Sequence, residues 1–229
     1  METVEAPRTG TGYPKMQSTR ERILQIVQQR RQETVGGLSR QLGLAPATVR
    51  RHLDILQRDG LVAFTEIRKG TGRPEHSFFL TDRGHESQPK AYDTLLAGLM
   101  KELAAMPGSD LVDRDGQQLL DLALSRLGAR SASAFATGSQ SDPVEAALNA
   151  LRELDFKPAV ERVPGGLRFA LSNCPFRSVA LATEAVCSYD TALLKGILGT
   201  KVRRESCITR GDACCQYVSG PRLPSAARG

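Results

Sequence analysis

The feature that most constrains this chain is a change of hydrophobic period near Gly60. Before it, apolar residues recur every three or four positions; after it, they alternate. From Thr19, Ile23, Ile26 and Val27 mark one amphipathic helix. A polar break at Gln32–Thr34 leads into GGLSRQLG, where Leu38 and Leu42 share a face and Gly43 stops the helix. A third helix follows in LAPATVRRHLDILQRDG, with Pro46 in its first turn, Val49, Leu53 and Leu56 on one face, and Gly60 at its end. Leu61–Ile67 and His76–Leu80 then read as strands joined by the basic turn RKGTGRP. Three short helices and a hairpin with a basic tip are the layout of a winged helix-turn-helix.

Charge agrees with that layout. Residues 15–73 hold twelve Lys and Arg against five Asp and Glu, whereas the rest hold nineteen against twenty. A positive excess confined to one segment suits a polyanion, because each phosphate neutralised releases counterions. With Val49, Leu53 and Leu56 turned inward, the third helix offers Ala47, Thr48, Arg50 and Arg51 to base edges, with Asp54 beside them. Arg68, Lys69 and Arg73 lie at the wing tip, placed for phosphates or the minor groove. The expected partner is a double-stranded DNA operator. His52, His76 and His85 all fall in this half and read as packing or phosphate partners.

Beyond Thr81, Lys90–Met106 reads as a helix with an apolar stripe of Tyr92, Leu95, Leu96, Leu99, Leu103 and Met106. Such a helix leaving a DNA-binding module is expected to pair with its copy in a homodimer. Helices follow at Asp115–Leu127 and, capped by Asp142-Pro143, at Val144–Leu154, with Gly128–Ser141 between them as a flexible loop. Lys157–Val163 and Leu167–Leu171 form a hairpin, Thr183–Gly199 a helix, and Val202–Ile208 and Cys215–Val218 strands around the turn TRGDA. The whole is α+β: a leader at 1–17, a winged helix-turn-helix at 18–88, a linker and dimerisation helix at 89–108, a sensor domain at 109–218 and a tail at 219–229. No apolar run reaches membrane-span length and the N-terminus lacks a signal-peptide pattern, so the expected location is the cytoplasm.

All five cysteines fall between Cys174 and Cys215. In a reducing compartment such a group points to metal binding or redox chemistry rather than structural disulfides. Thiolates suit iron–sulfur clusters or zinc. A zinc site usually brings a pair of cysteines two to four residues apart, and none is present. Wide spacing fits ligands gathered from several loops. Reversible disulfides among Cys174, Cys187 and Cys215, and cysteines that merely pack, are the other readings. Catalysis finds no support: the second half has no histidine and no phosphate-binding glycine loop.

The runs TVRRHLDILQRDGLV, RKGTGRPEHSFFLTDRG and QPKAYDTLLAGLM, and the stretch from NCPF to GDACCQYV, resemble bacterial regulators of the ArsR/DeoR-like winged-helix group. The resemblance is to the SufR type, repressors of iron–sulfur cluster assembly operons. It implies cluster ligands at Cys174, Cys187 and Cys215, and a [4Fe–4S] cluster in preference to [2Fe–2S]. Some members carry a further cysteine where this chain has Lys201. Cys207, at the other end of the TRGDA turn from Cys215, is the natural substitute, with an oxygen, a solvent species or a small thiol as the alternatives for the fourth place. Cys214 should face the other way and is left out. The resemblance implies a repressor whose operator affinity follows the state of the cluster. The alternative is a winged-helix regulator that senses a small organic ligand, zinc or thiol redox state, since the GD-x-x-C turn also resembles that of vinyl-reductase-like ligand-binding domains.

Overall fold

A computed structural model describes residues 18–68, 74–136, 142–212 and 214–220. The chain divides into two compact units, Met1–Leu80 and Thr81–Gly229.

In the first unit, α1 (Thr19–Arg30) opens on a reciprocal cap: Ser18 Oγ accepts from the Glu21 amide at 3.2 Å, and Glu21 accepts from the Ser18 amide at 2.9 Å. The polar break after it is a short strand, β1 (Gln32–Thr34), that ends in the Thr34 cap of α2 (Val35–Leu42). Gly43 then takes a left-handed φ of 67° that lets the chain reverse into α3 (Pro46–Arg58). Strands β2 (Val62–Ile67) and β3 (Glu75–Leu80) form an antiparallel hairpin, and β1 adds to the outer edge of β3 to give the order β1-β3-β2. Ile23, Val27, Leu38, Val49 and Leu53 are wholly buried beneath this sheet's Phe78 and Leu80. At roughly 1.5–3 kcal/mol for each large apolar side chain buried, this core suffices to set three short helices at fixed angles.

In the second unit, α4 (Asp82–Glu86), α5 (Tyr92–Ala104) and the single turn α6 (Gly108–Leu111) precede a long helix, α7 (Gly116–Ala136). The latter half of α7 occupies residues expected to be a loop. Small residues there serve close packing rather than flexibility. A Cβ on Gly128 would sit 2.3 Å from the Tyr189 carbonyl oxygen, and one on Gly196 would sit 2.6 Å from the Ala132 Cβ. Residues 137–141 of the expected loop lie outside the described residues. Next come α8 (Pro143–Glu153), capped by Asp142 as expected, and the hairpin of β4 (Pro158–Val163) and β5 (Gly166–Leu171). After α9 (Arg177–Ala182) and a 3₁₀ turn at Glu184–Val186, α10 (Cys187–Leu198) runs through the core against α7. The expected single helix from Thr183 is therefore two elements, broken where Thr183 caps the 3₁₀ turn through the Ala185 amide.

Strand β6 (Val202–Ser206) is shorter than expected. Ile208–Arg210 forms a second 3₁₀ turn, and β7 (Cys215–Ser219) returns between β6 and β5, giving an antiparallel sheet β4-β5-β7-β6. Phe156, Phe169, Leu151, Leu193, Leu194 and Tyr217 fill the space between this sheet and the helices. On α5, Leu95 is buried and Leu99 partly so, while Leu96, Met100 and Leu103 of the same helix are exposed. Among the described residues no helix is long and apolar enough to cross a membrane.

Candidate nucleic-acid interface and buried thiol site

The inward face of α3 is set by Val49, Leu53 and Leu56, each at most 2% exposed. Their burial turns Ala47, Thr48, Arg50 and Arg51 to the surface, all four exposed within the first two turns. A groove of about 580 Å³ runs between this end of α3 and the hairpin, lined by Pro46, Arg50, Asp54, His76 and Phe78. His76 stacks on Phe64 with ring centroids 3.9 Å apart, which stiffens the hairpin wall of that groove. Arg68 is exposed where the hairpin leaves β2. Lys69 and Arg73 lie outside the described residues. A rigid helix that offers an arginine pair and a threonine beside a groove can donate to base edges or phosphates.

The second unit gathers cysteines distant in sequence. Cys187 begins α10, Cys207 follows β6, and Cys215 begins β7. The sulfur of Cys207 is 3.8 Å from that of Cys187 and 3.7 Å from that of Cys215, and all three residues are buried. The turn between β6 and β7 makes this possible: the Asp212 carboxylate accepts from the Cys207 amide at 2.8 Å, and the Cys207 carbonyl accepts from Arg210 and Asp212 amides. Cys174 belongs to the same core but not to that sulfur contact; Lys90 donates to its carbonyl at 3.4 Å. Cys214 is half-buried, just outside β7. None of the five cysteines forms a disulfide.

Electrostatics distinguishes the thiols. Hydrogen bonds from Cys187 and Cys215, helped by the Thr209 hydroxyl at 3.1 Å, hold Cys207 well below the ordinary cysteine range. Arg204 adds a donor 3.6 Å from the same sulfur. The hydrogen bonds to Cys207, then burial, push Cys187 and Cys215 far upward. Burial pushes Cys174 up to about 12. The same contacts thus lower the central thiol and raise its two neighbours.

A cleft of about 520 Å³ opens beside Cys187, lined also by Glu184, Ser188, Lys195, Arg204 and Arg210. Glu184 pairs with Arg204 at 2.8 Å and Arg210 at 3.1 Å, fixing the rim around the thiols. Behind them lies Asp190, buried in α10, its Oδ2 accepting from the Tyr217 hydroxyl at 3.0 Å. Burial raises this carboxyl to about 7. Sequence reasoning passed over Asp190, Arg204 and Thr209. Asp190 left a signal: it stands on the apolar face of a helix, between Tyr189 and Leu193, where an acid is costly. Among the described residues no group of three or more His, Cys, Asp or Glu side chains is arranged to hold a metal ion.

A helix-turn-helix with a β-hairpin, carrying arginines on the exposed face of its third helix, defines the first unit as a DNA-binding domain of the regulator type. Residues 17–63 match the family described as bacterial regulatory protein, arsR family. Among solved structures, the chain is similar to the transcriptional regulator homologue protein from Pyrococcus horikoshii OT3, at 28% identity over 29% of this chain and 65% of that one, with a TM-score of 0.27. The chain thus spans about two thirds of that protein's length. It is also similar to Bacillus subtilis PadR, solved in complex with operator DNA, at 14% identity over 80% of this chain and 99% of that one, with a TM-score of 0.29. No curated protein matches the chain.

Proposed function

We propose that this protein is a DNA-binding transcriptional repressor whose second unit senses an iron–sulfur cluster through its buried cysteines. The observation that carries the DNA-binding part is the exposure of Ala47, Thr48, Arg50 and Arg51 on a helix whose other face is locked into the core. Arg68, with Lys69 and Arg73 of the wing, would hold the phosphate backbone. The exposed Leu96, Met100 and Leu103 of α5 support a homodimer, which a two-fold operator would match.

For the sensor, the donor set fits in kind: Cys187, Cys207 and Cys215 are soft donors gathered in one buried place, and Cys174 shares their core. The cluster would draw its thiolate ligands from these four. A bound iron–sulfur cluster would supply a centre that oxidants degrade. The chain's own part is to transmit occupancy. Cys187 starts α10 and Cys215 starts β7, so a change in what their sulfurs hold pulls helix against sheet. Helix α10 packs on α7 at Gly128, and α7 on α5 at Gly98, where a Cβ would meet Leu127 at 2.7 Å. Through these packed helices a shift would reach the exposed stripe of α5.

The test selects a binding site from random duplex DNA with the anaerobically purified full-length chain, then compares Arg50→Ala/Arg51→Ala. The double variant should bind more than about tenfold more weakly, with a salt dependence reduced by about one to two phosphate contacts. Unchanged binding by a folded variant would overturn the assignment. Visible absorbance that oxygen bleaches and Cys187→Ser removes supports the cluster; a colourless protein with bound zinc or an organic ligand defeats it.

A further inference from the structure

Asp190 lies three residues after Cys187 on α10 and is 3% exposed. One carboxylate oxygen, Oδ2, accepts from Tyr217; the other, Oδ1, is fully buried and has no hydrogen-bond partner among the described residues. Arg204, the basic side chain whose charge reaches it, directs its own donors to Glu184 and the Cys207 sulfur. A buried carboxylate oxygen with neither cation nor donor is costly to keep. Such a group persists where something absent from the bare chain completes it. Its surroundings say what that would be: Cys187 is buried one turn before it on α10, and Tyr217, which holds Oδ2, shares the buried face of β7 with Cys215.

We infer that Asp190 Oδ1 is an oxygen donor to the metal centre held by these thiols. This rests on the cofactor reading above and refines it. A cluster taking four protein donors then draws on Asp190 and three of the four cysteines 174, 187, 207 and 215, with one thiol left outside. The Tyr217 hydrogen bond fixes the carboxylate plane and leaves Oδ1 as the ligating atom. A carboxylate is a harder ligand than a thiolate, so the iron it holds is the one most readily lost. Lability of one iron is what a sensor of cluster integrity requires.

The test loads the full-length wild-type chain, Asp190→Asn and Asp190→Cys anaerobically with ferrous iron and sulfide. Visible absorption and the rate of iron release to a chelator are read on each, with circular dichroism of the metal-free proteins as the check on folding. Asp190→Asn keeps shape and removes the anionic donor; it should show altered absorption bands and release iron about tenfold or more faster than wild type. Asp190→Cys restores an anionic donor and should hold iron at least as firmly as wild type, which a merely structural Asp190 would not allow. Wild-type bands and release rate in a folded Asp190→Asn overturn the inference alone. Failure of the wild-type chain to take up iron overturns both this inference and the cofactor reading.

Discussion

The sulfur of Cys207 lies 3.7 Å from that of Cys215, across the turn that joins β6 to β7, and 3.8 Å from that of Cys187 at the start of α10. One sulfur thus contacts two others, drawn from α10 and from β7. Mild oxidation of the metal-free chain by a diazene reagent, which takes up the two hydrogens, should join Cys207 to Cys187 or to Cys215. Peptide mapping by mass spectrometry should find Cys207 in each early bridge. Cys207→Ala should leave Cys187 and Cys215 unbridged over the same time; rapid formation of a 187–215 bridge in that variant would contradict the geometry.

Gly128 sits where α7 meets α10. Helix propensity alone favours alanine there by up to about 1 kcal/mol. An added Cβ would stand 2.3 Å from the Tyr189 carbonyl, a backbone atom that cannot swing away. Gly128→Ala is therefore expected to destabilise the second unit by about 1–3 kcal/mol, read as a lowered urea midpoint. A raised midpoint would mean the two helices are not this close.

Leu53 is fully buried on the inward face of α3. Leu53→Ala should cost about 2–5 kcal/mol, because the rigid core around it closes the cavity only in part. DNA binding should weaken with it, since the exposed arginines keep their aim only while α3 is seated. Differential scanning calorimetry and an anisotropy titration together check both effects.

The His85 imidazole is held down to about 4, first by burial and then by the charges of Arg177 and Lys90, with Asp82 and Glu86 acting the other way. Its reference value is 6.5. The folded state therefore disfavours protonation, and the unfolded chain takes the proton first as pH falls. Stability should be full above about pH 6.5 and decline toward about pH 4. His85→Gln should flatten that part of a midpoint-against-pH curve; an unchanged slope would assign it to other groups.

The local elements of the first unit were legible in the sequence because each depends on neighbours a few residues away. Leu38 and Leu42, Val49, Leu53 and Leu56, the Gly43 stop and the period change after Gly60 all act within one or two turns. Burying one face of α3 places Arg50 and Arg51 on the other, so that half of the candidate site follows from periodicity. Asp142-Pro143 announced α8 for the same local reason. Composition misled where it stood for structure: the residues after Gly128 are small because α10 presses against them, and only the packed pair of helices reveals this. The thiol site lies at the far end of the same scale. Cysteine chemistry and the turn before Cys215 pointed to Cys207, but the contact with Cys187 joins residues twenty apart, and Asp190 acquires its meaning from Tyr217, twenty-seven residues on. Sequence by itself determined the three helices and the hairpin of the first unit and the apolar face of α3, since those depend on local sterics and burial. Tertiary structure alone decided which polar groups meet inside the second unit, because desolvation and contact arise only once the sheet and α10 have closed on one another.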